Sequence, residues 1–105
     1  MPEELLQAVS ERFRALSVPS RLRVLNALME SPLLLAELEE VTGLEQSNLS
    51  RHVTELERAG CVRRSRRGRF VEVELCDPSI TALCDLVCGS LEERADERSR
   101  AFRAT

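Results

Sequence analysis

At Gly60 the apolar period of the chain changes, and no other feature of the sequence restricts the fold as strongly. Before it, large apolar residues recur three and four apart, the spacing of one helix face. After it they alternate, the spacing of a strand. Four helical segments, two strands and a final helical segment follow in order, so the expected fold class is mainly α with a β-hairpin, α-α-α-α-β-β-α.

Residues 3–16 carry Leu5, Leu6, Val9, Phe13 and Leu16 at helical spacing. Pro19 disfavours helical geometry at Val18, so a break is expected there. A second helix follows with Leu22, Leu25, Leu28 and Met29 inward, and Pro32 marks its end. Residues 33–41 form a short third helix that turns Leu34 or Leu35, with Leu38 and Val41, to the core. Thr42, Gly43 and Leu44 are a tight turn, with Gly43 suited to the left-handed conformation that closes a helix.

The next helix, residues 45–59, has one stripe of Leu49, Val53 and Leu56. With Glu45 as cap, Leu44 and Leu49 stand where a hydrophobic staple joins the chain to its helix. The opposite face carries Gln46, Ser47, Asn48, Ser50, Arg51 and His52. These are short or forked hydrogen-bonding groups of the kind that read base edges and grip phosphate oxygens. A merely solvated face carries pairs of opposite charge, and those begin only at Glu55, Glu57 and Arg58. Two helices joined by a glycine turn make residues 33–59 a helix-turn-helix with 45–59 as its recognition helix.

Beyond Gly60, residues 61–64 and 70–75 are expected as strands around a loop from Ser65 to Arg69. Val71, Val73 and Leu75 share one face of the second strand; Glu72, Glu74 and Cys76 share the other. The formal net charge of −3 argues against a general polyanion binder, but the distribution matters more. Six arginines and no acid lie between Arg58 and Arg69. Residues 61–75 are thus a wing whose Arg66, Arg67 and Arg69 are expected to approach phosphates or a minor groove.

Asp77 as cap and Pro78 at the first position open the last helix, residues 78–103. Its stripe is Ile80, Leu83, Cys84, Val87, Cys88 and Leu91, and beyond Glu92 only Ala95 and Phe102 continue it, so fraying is expected. The 105 residues make one domain with a limited core, to which dimerisation would add apolar burial. With no signal-peptide pattern and no apolar run near the ~20 residues of a membrane span, a cytoplasmic protein without membrane contact is expected. Its four cysteines then read as free thiols or ligands rather than disulfides. His52 has no Ser or Cys at triad spacing, so no enzyme is expected.

The segment Ala15-Leu-Ser-Val-Pro-Ser-Arg-Leu-Arg-Val-Leu-Asn-Ala-Leu resembles the opening signature of the ArsR/SmtB family of winged helix-turn-helix transcriptional repressors. The stretch from Leu44 to Gly60, followed by the Arg-Arg-Gly-Arg wing, resembles it too, and the likeness covers roughly residues 5–94. It implies a homodimer built by residues 3–16 and 78–103 that binds an imperfect palindrome of double-stranded operator DNA and is released by an inducer. It also implies base and phosphate contacts from Gln46, Ser47, Asn48, Ser50, Arg51 and His52. One departure is Glu45, where the family commonly has a Ser cap. A carboxylate still favours the positive helix end, but it stands near phosphates.

The resemblance also bears on the inducer. Arsenite-sensing members carry a Cys-x-Cys-like pair in the third helix, where this chain has Leu33-Leu-Leu-Ala-Glu-Leu and no thiol. The zinc positions of other members align to Asp77, Ser79, Ser90 and Glu93, which keeps the carboxylates and loses both imidazoles. There remain Cys84 and Cys88, one turn apart on one face. Crossed with a dimer mate, that face brings up to four thiols together. They suit a soft metal(loid) ion as inducer, such as As(III), Cd(II) or Zn(II), or oxidative and persulfide chemistry. Cys76 is a third ligand or an exposed reactive thiol. The alternative is a regulator with no metal site, because Cys on an apolar stripe often packs as a small hydrophobe; Cys61 is read that way.

Overall fold

The computed structural model describes residues 1–104, with side chains through residue 101. Its elements are α1 (Glu3–Leu16), α2 (Pro19–Ala27), β1 (Leu33–Leu34), α3 (Leu35–Thr42), α4 (Gln46–Arg58), β2 (Val62–Arg67), β3 (Phe70–Leu75) and α5 (Pro78–Ala104). The stripes of these elements meet in one core. Leu16, Val24, Leu25, Leu28, Leu38, Leu49, Val53, Leu56, Val73 and Ile80 are buried in a single cluster with Cys61 and Val62. Leu44 and Leu35 pack against its edge.

Five expectations are corrected. Residues 33 and 34 are not helical but form β1, pairing antiparallel with β3 at Leu33↔Val73 and Leu34↔Glu72. The resulting sheet has the order β1-β3-β2. The open edge of β3 offers backbone groups that an extended Leu33–Leu34 satisfies, and Glu37 then starts α3 by accepting the Leu34 N–H at 2.8 Å. Because α3 is only 8 residues long, one turn of it reaches the core: Leu38 is buried while Val41 is 66% exposed. Leu22, expected inward, is exposed as well.

The hairpin is tighter than expected. Arg67 pairs with Phe70, so only Gly68 and Arg69 form the turn, and Arg66 and Arg67 are strand residues. The last helix does not fray at Glu92 but runs to Ala104, through Glu, Arg and Ala, which are among the best helix formers. Ala95 is exposed, and the side chain of Phe102 lies outside the described residues.

Gly43 and Gly60 close α3 and follow α4 with φ of 73° and 79°, a region that costs other residues strain. The apolar stripes of the terminal helices extend past the core. Ile80 is buried and Cys84 packs on its edge, but Leu91 is 62% exposed. On α1, Leu5, Leu6, Val9 and Phe13 are all open to solvent. Among the described residues, no helix is long and apolar enough to cross a membrane.

Candidate nucleic-acid interface

The inner face of α4 is pinned by Leu49, Val53 and Leu56, each nearly inaccessible to solvent. Glu45 takes the cap position with extended backbone but makes no side-chain cap bond; its carboxylate instead accepts the Ser47 hydroxyl at 3.1 Å. At the other end the guanidinium of Arg12 donates twice to the Ala59 carbonyl, from Nε at 3.2 Å and Nη2 at 3.1 Å. Its Nη1 donates to Asp77 Oδ2 at 2.5 Å. Asp77 in turn caps α5 by accepting the Ser79 N–H at 2.9 Å. One side chain of α1 therefore joins the end of α4 to the start of α5, and the bare Cα of Gly60 makes room for it: a Cβ there would stand 2.8 Å from Nη2.

On the outer face, Gln46, Ser47, Asn48 and Arg51 are exposed and Ser50 is half-buried. Arg51 Nη2 donates to Asn48 Oδ1 at 3.3 Å, which groups two forked side chains on one side of the helix. His52 is corrected. It is 8% exposed, and its Nδ1 accepts from Arg21 Nε at 3.3 Å, so it belongs to the packing behind the polar face. Helical spacing puts residue 52 between the apolar stripe and the polar arc, and the tertiary partner Arg21 decides which way it goes.

The wing arginines separate into different environments. Arg64 folds back onto α4, donating to the Ser50 carbonyl at 2.8 Å and to Thr54 Oγ1 at 2.7 Å. Arg63 pairs with Glu74, and Arg67 with Glu72 at 3.3 Å. Arg69 lies over the ring of Phe70, 5.5 Å from its centroid. Arg66 is exposed, with no hydrogen bond or ion pair among the described residues. Arg12, Arg21 and Arg64 escaped the sequence reading. Only Arg64 carried a signal, the alternation of Val62 continued two residues further.

A model described as the MarR family matches residues 16–69, from the end of α1 to the wing turn. The chain is 36% identical over 77 residues to the transcriptional regulator NmtR of Mycobacterium tuberculosis. It is 37% identical over 76 residues to the transcriptional repressor SmtB of the same organism. These alignments cover 73% and 72% of this chain but only 64% and 56% of those proteins. The regulator CmtR of M. tuberculosis is 35% identical over 98 residues, 92% of this chain and 83% of its own. The chain belongs to the ArsR/SmtB family. The crystal structure of M. tuberculosis Rv0081 superposes with a TM-score of 0.81 at 33% identity, over 92% of this chain and 98% of that one. The winged helix-turn-helix fold is thereby the fold of this protein.

Among the positions that align with the family's zinc ligands, Asp77 is committed to Ser79 and Arg12. The Ser79 N–H, and then Arg12, hold its carboxyl below the usual range. Cys84 is half-buried and Cys88 exposed, one turn apart on α5. Burial first, then Cys88 and Asp85, push the Cys84 thiol up. The Cys76 thiol instead donates to the Gly60 carbonyl at 3.3 Å. No group of three or more His, Cys, Asp or Glu is arranged around a metal position among the described residues. Cys61 is buried in the core.

Proposed function

We propose that the protein is a homodimeric transcriptional repressor that binds double-stranded operator DNA of imperfect two-fold symmetry. The observation that carries this reading is α4, a helix with a fully buried back and an exposed face of Gln46, Ser47, Asn48 and Arg51. The major groove admits a helix of this kind. An Arg fork fits guanine there, and Asn or Gln amides fit adenine. The likeness to proteins named as transcriptional regulators and a repressor supports it.

The exposed apolar faces of α1 and α5 support a second copy as the partner, since a stable monomer seldom leaves such faces open. A two-fold pair repeats α4 on successive turns of one duplex face, roughly 34 Å apart. For release, Cys84 and Cys88 on the exposed part of α5 are the donor set for a soft ion such as As(III), Cd(II) or Zn(II). Two thiols per chain fall short of a full shell, and the mate supplies the rest.

A gel-shift with duplexes from the region upstream of its own gene tests both halves. The expected result is a salt-sensitive, sequence-specific band that As(III) or Cd(II) dissolves. The Cys84→Ser, Cys88→Ser double variant keeps the band and loses the response. No specific band from any upstream duplex sinks the DNA claim; a normal response by the double variant sinks the thiol site.

A further inference from the structure

We infer that the wing has two electrically different faces, and that Arg66, with Arg69 at the turn, carries its grip on DNA while Arg67 does not. This rests on the reading of the protein as DNA-binding. The cross-strand register supplies the faces. Arg63↔Glu74, Ser65↔Glu72 and Arg67↔Phe70 stand opposite one another on one side; Val62↔Leu75, Arg64↔Val73 and Arg66↔Val71 stand on the other. Val62 and Val73 are buried, so the second side is the one turned toward the core and α4.

The outer side neutralises itself. Arg63 is paired with Glu74 and Arg67 with Glu72. Such exposed pairs break at little cost. Yet a duplex that took Arg67 would leave the Glu72 carboxylate beside its phosphates, which offsets the gain.

The inner side differs. Arg64 is used up against Ser50 and Thr54, which shows that this side of β2 runs back along the recognition helix. Arg66 is the next residue on that side, about 7 Å further along the strand. It is exposed, and no ion pair cancels its charge among the described residues. Arg69 is steadied by the Phe70 ring, which holds a cation without cancelling its charge.

The test is the salt dependence of binding to a mixed-sequence duplex long enough for both subunits, because phosphate contacts need no particular sequence. Circular dichroism melts confirm that each surface variant is folded. Arg66→Ala is expected to lower the slope of log K against log salt by about 0.9 per subunit. Arg67→Ala is expected to leave it unchanged, and Glu72→Gln to raise affinity and slope by uncovering Arg67. An Arg67→Ala loss as large as that of Arg66→Ala overturns the inference, as does a Glu72→Gln protein no tighter than wild type. A wild-type protein with no salt-dependent binding overturns the DNA-binding reading itself and this inference with it.

Discussion

Arg21 of α2 donates its Nε–H to Nδ1 of His52 in α4 across 3.3 Å, so the single histidine of the chain is an internal acceptor. Only the neutral imidazole can accept there. Burial, then Arg21 and Arg51, lower its pKa below the ordinary 6.5. The folded state thus binds this proton more weakly than the unfolded chain. The stability it contributes is full above pH 6.5 and is lost as pH falls from there through the folded value. Thermal melts on either side of that pH should show wild type weakening on acidification. His52→Gln, whose amide oxygen can still accept from Arg21, should be flatter; an identical slope would falsify this role.

Arg12 and Gly60 should be coupled. Gly60→Ala puts a side chain in the left-handed region and a Cβ 2.8 Å from Arg12 Nη2. The backbone effect alone costs about 1–2 kcal/mol. In an Arg12→Ala background the clash is gone, so the same substitution should cost less there. Denaturant unfolding of the four proteins of this cycle measures the difference, and strict additivity argues against the contact.

The proposed dimerisation through the terminal helices predicts a clean separation of assembly from folding. Phe13 and Leu91 are 55% and 62% exposed in the single chain. Phe13→Glu with Leu91→Glu should therefore leave the helical circular dichroism spectrum intact while sedimentation shifts from dimer to monomer. Affinity for DNA should fall with it. A dimer that survives both substitutions places the interface elsewhere.

Ion binding at the thiols should tighten with pH. The Cys84 thiol is pushed up, chiefly by burial, so at neutral pH it is protonated and an incoming ion must displace that proton. Titration with Cd(II), followed by its thiolate absorption band, should give an affinity that rises with pH in wild type. Cys84→Ser should lose much of that dependence. A pH-independent affinity in wild type contradicts thiol coordination at Cys84.

Much of the architecture was legible in the sequence because it follows from local rules. Apolar spacing in residues 3–16 and at Leu49, Val53 and Leu56 announces helices, and Gly43, Gly60 and Pro19 announce breaks. Asp77 before Pro78 announces a cap, and the structure has it accepting the Ser79 N–H. The misses share a cause. Leu33–Leu34 looked helical because apolar residues fit either period, and only the open edge of β3 makes them a strand. The turn reads too wide from the sequence because Ser65, Arg66 and Arg67 have no apolar side chain to show alternation.

By itself the sequence determined the order of the helices and the hairpin, the helix with an open polar face and the concentration of arginine behind it. Each is a matter of neighbours along the chain. Tertiary structure alone decided which polar groups are available: His52 goes inward to Arg21, Arg64 to α4, Arg67 to Glu72, and Arg66 remains exposed without an ion-pair partner among the described residues. The physical reason is register. Successive side chains of a strand leave on opposite faces, so one residue of slip would exchange the paired arginines for the unpaired one.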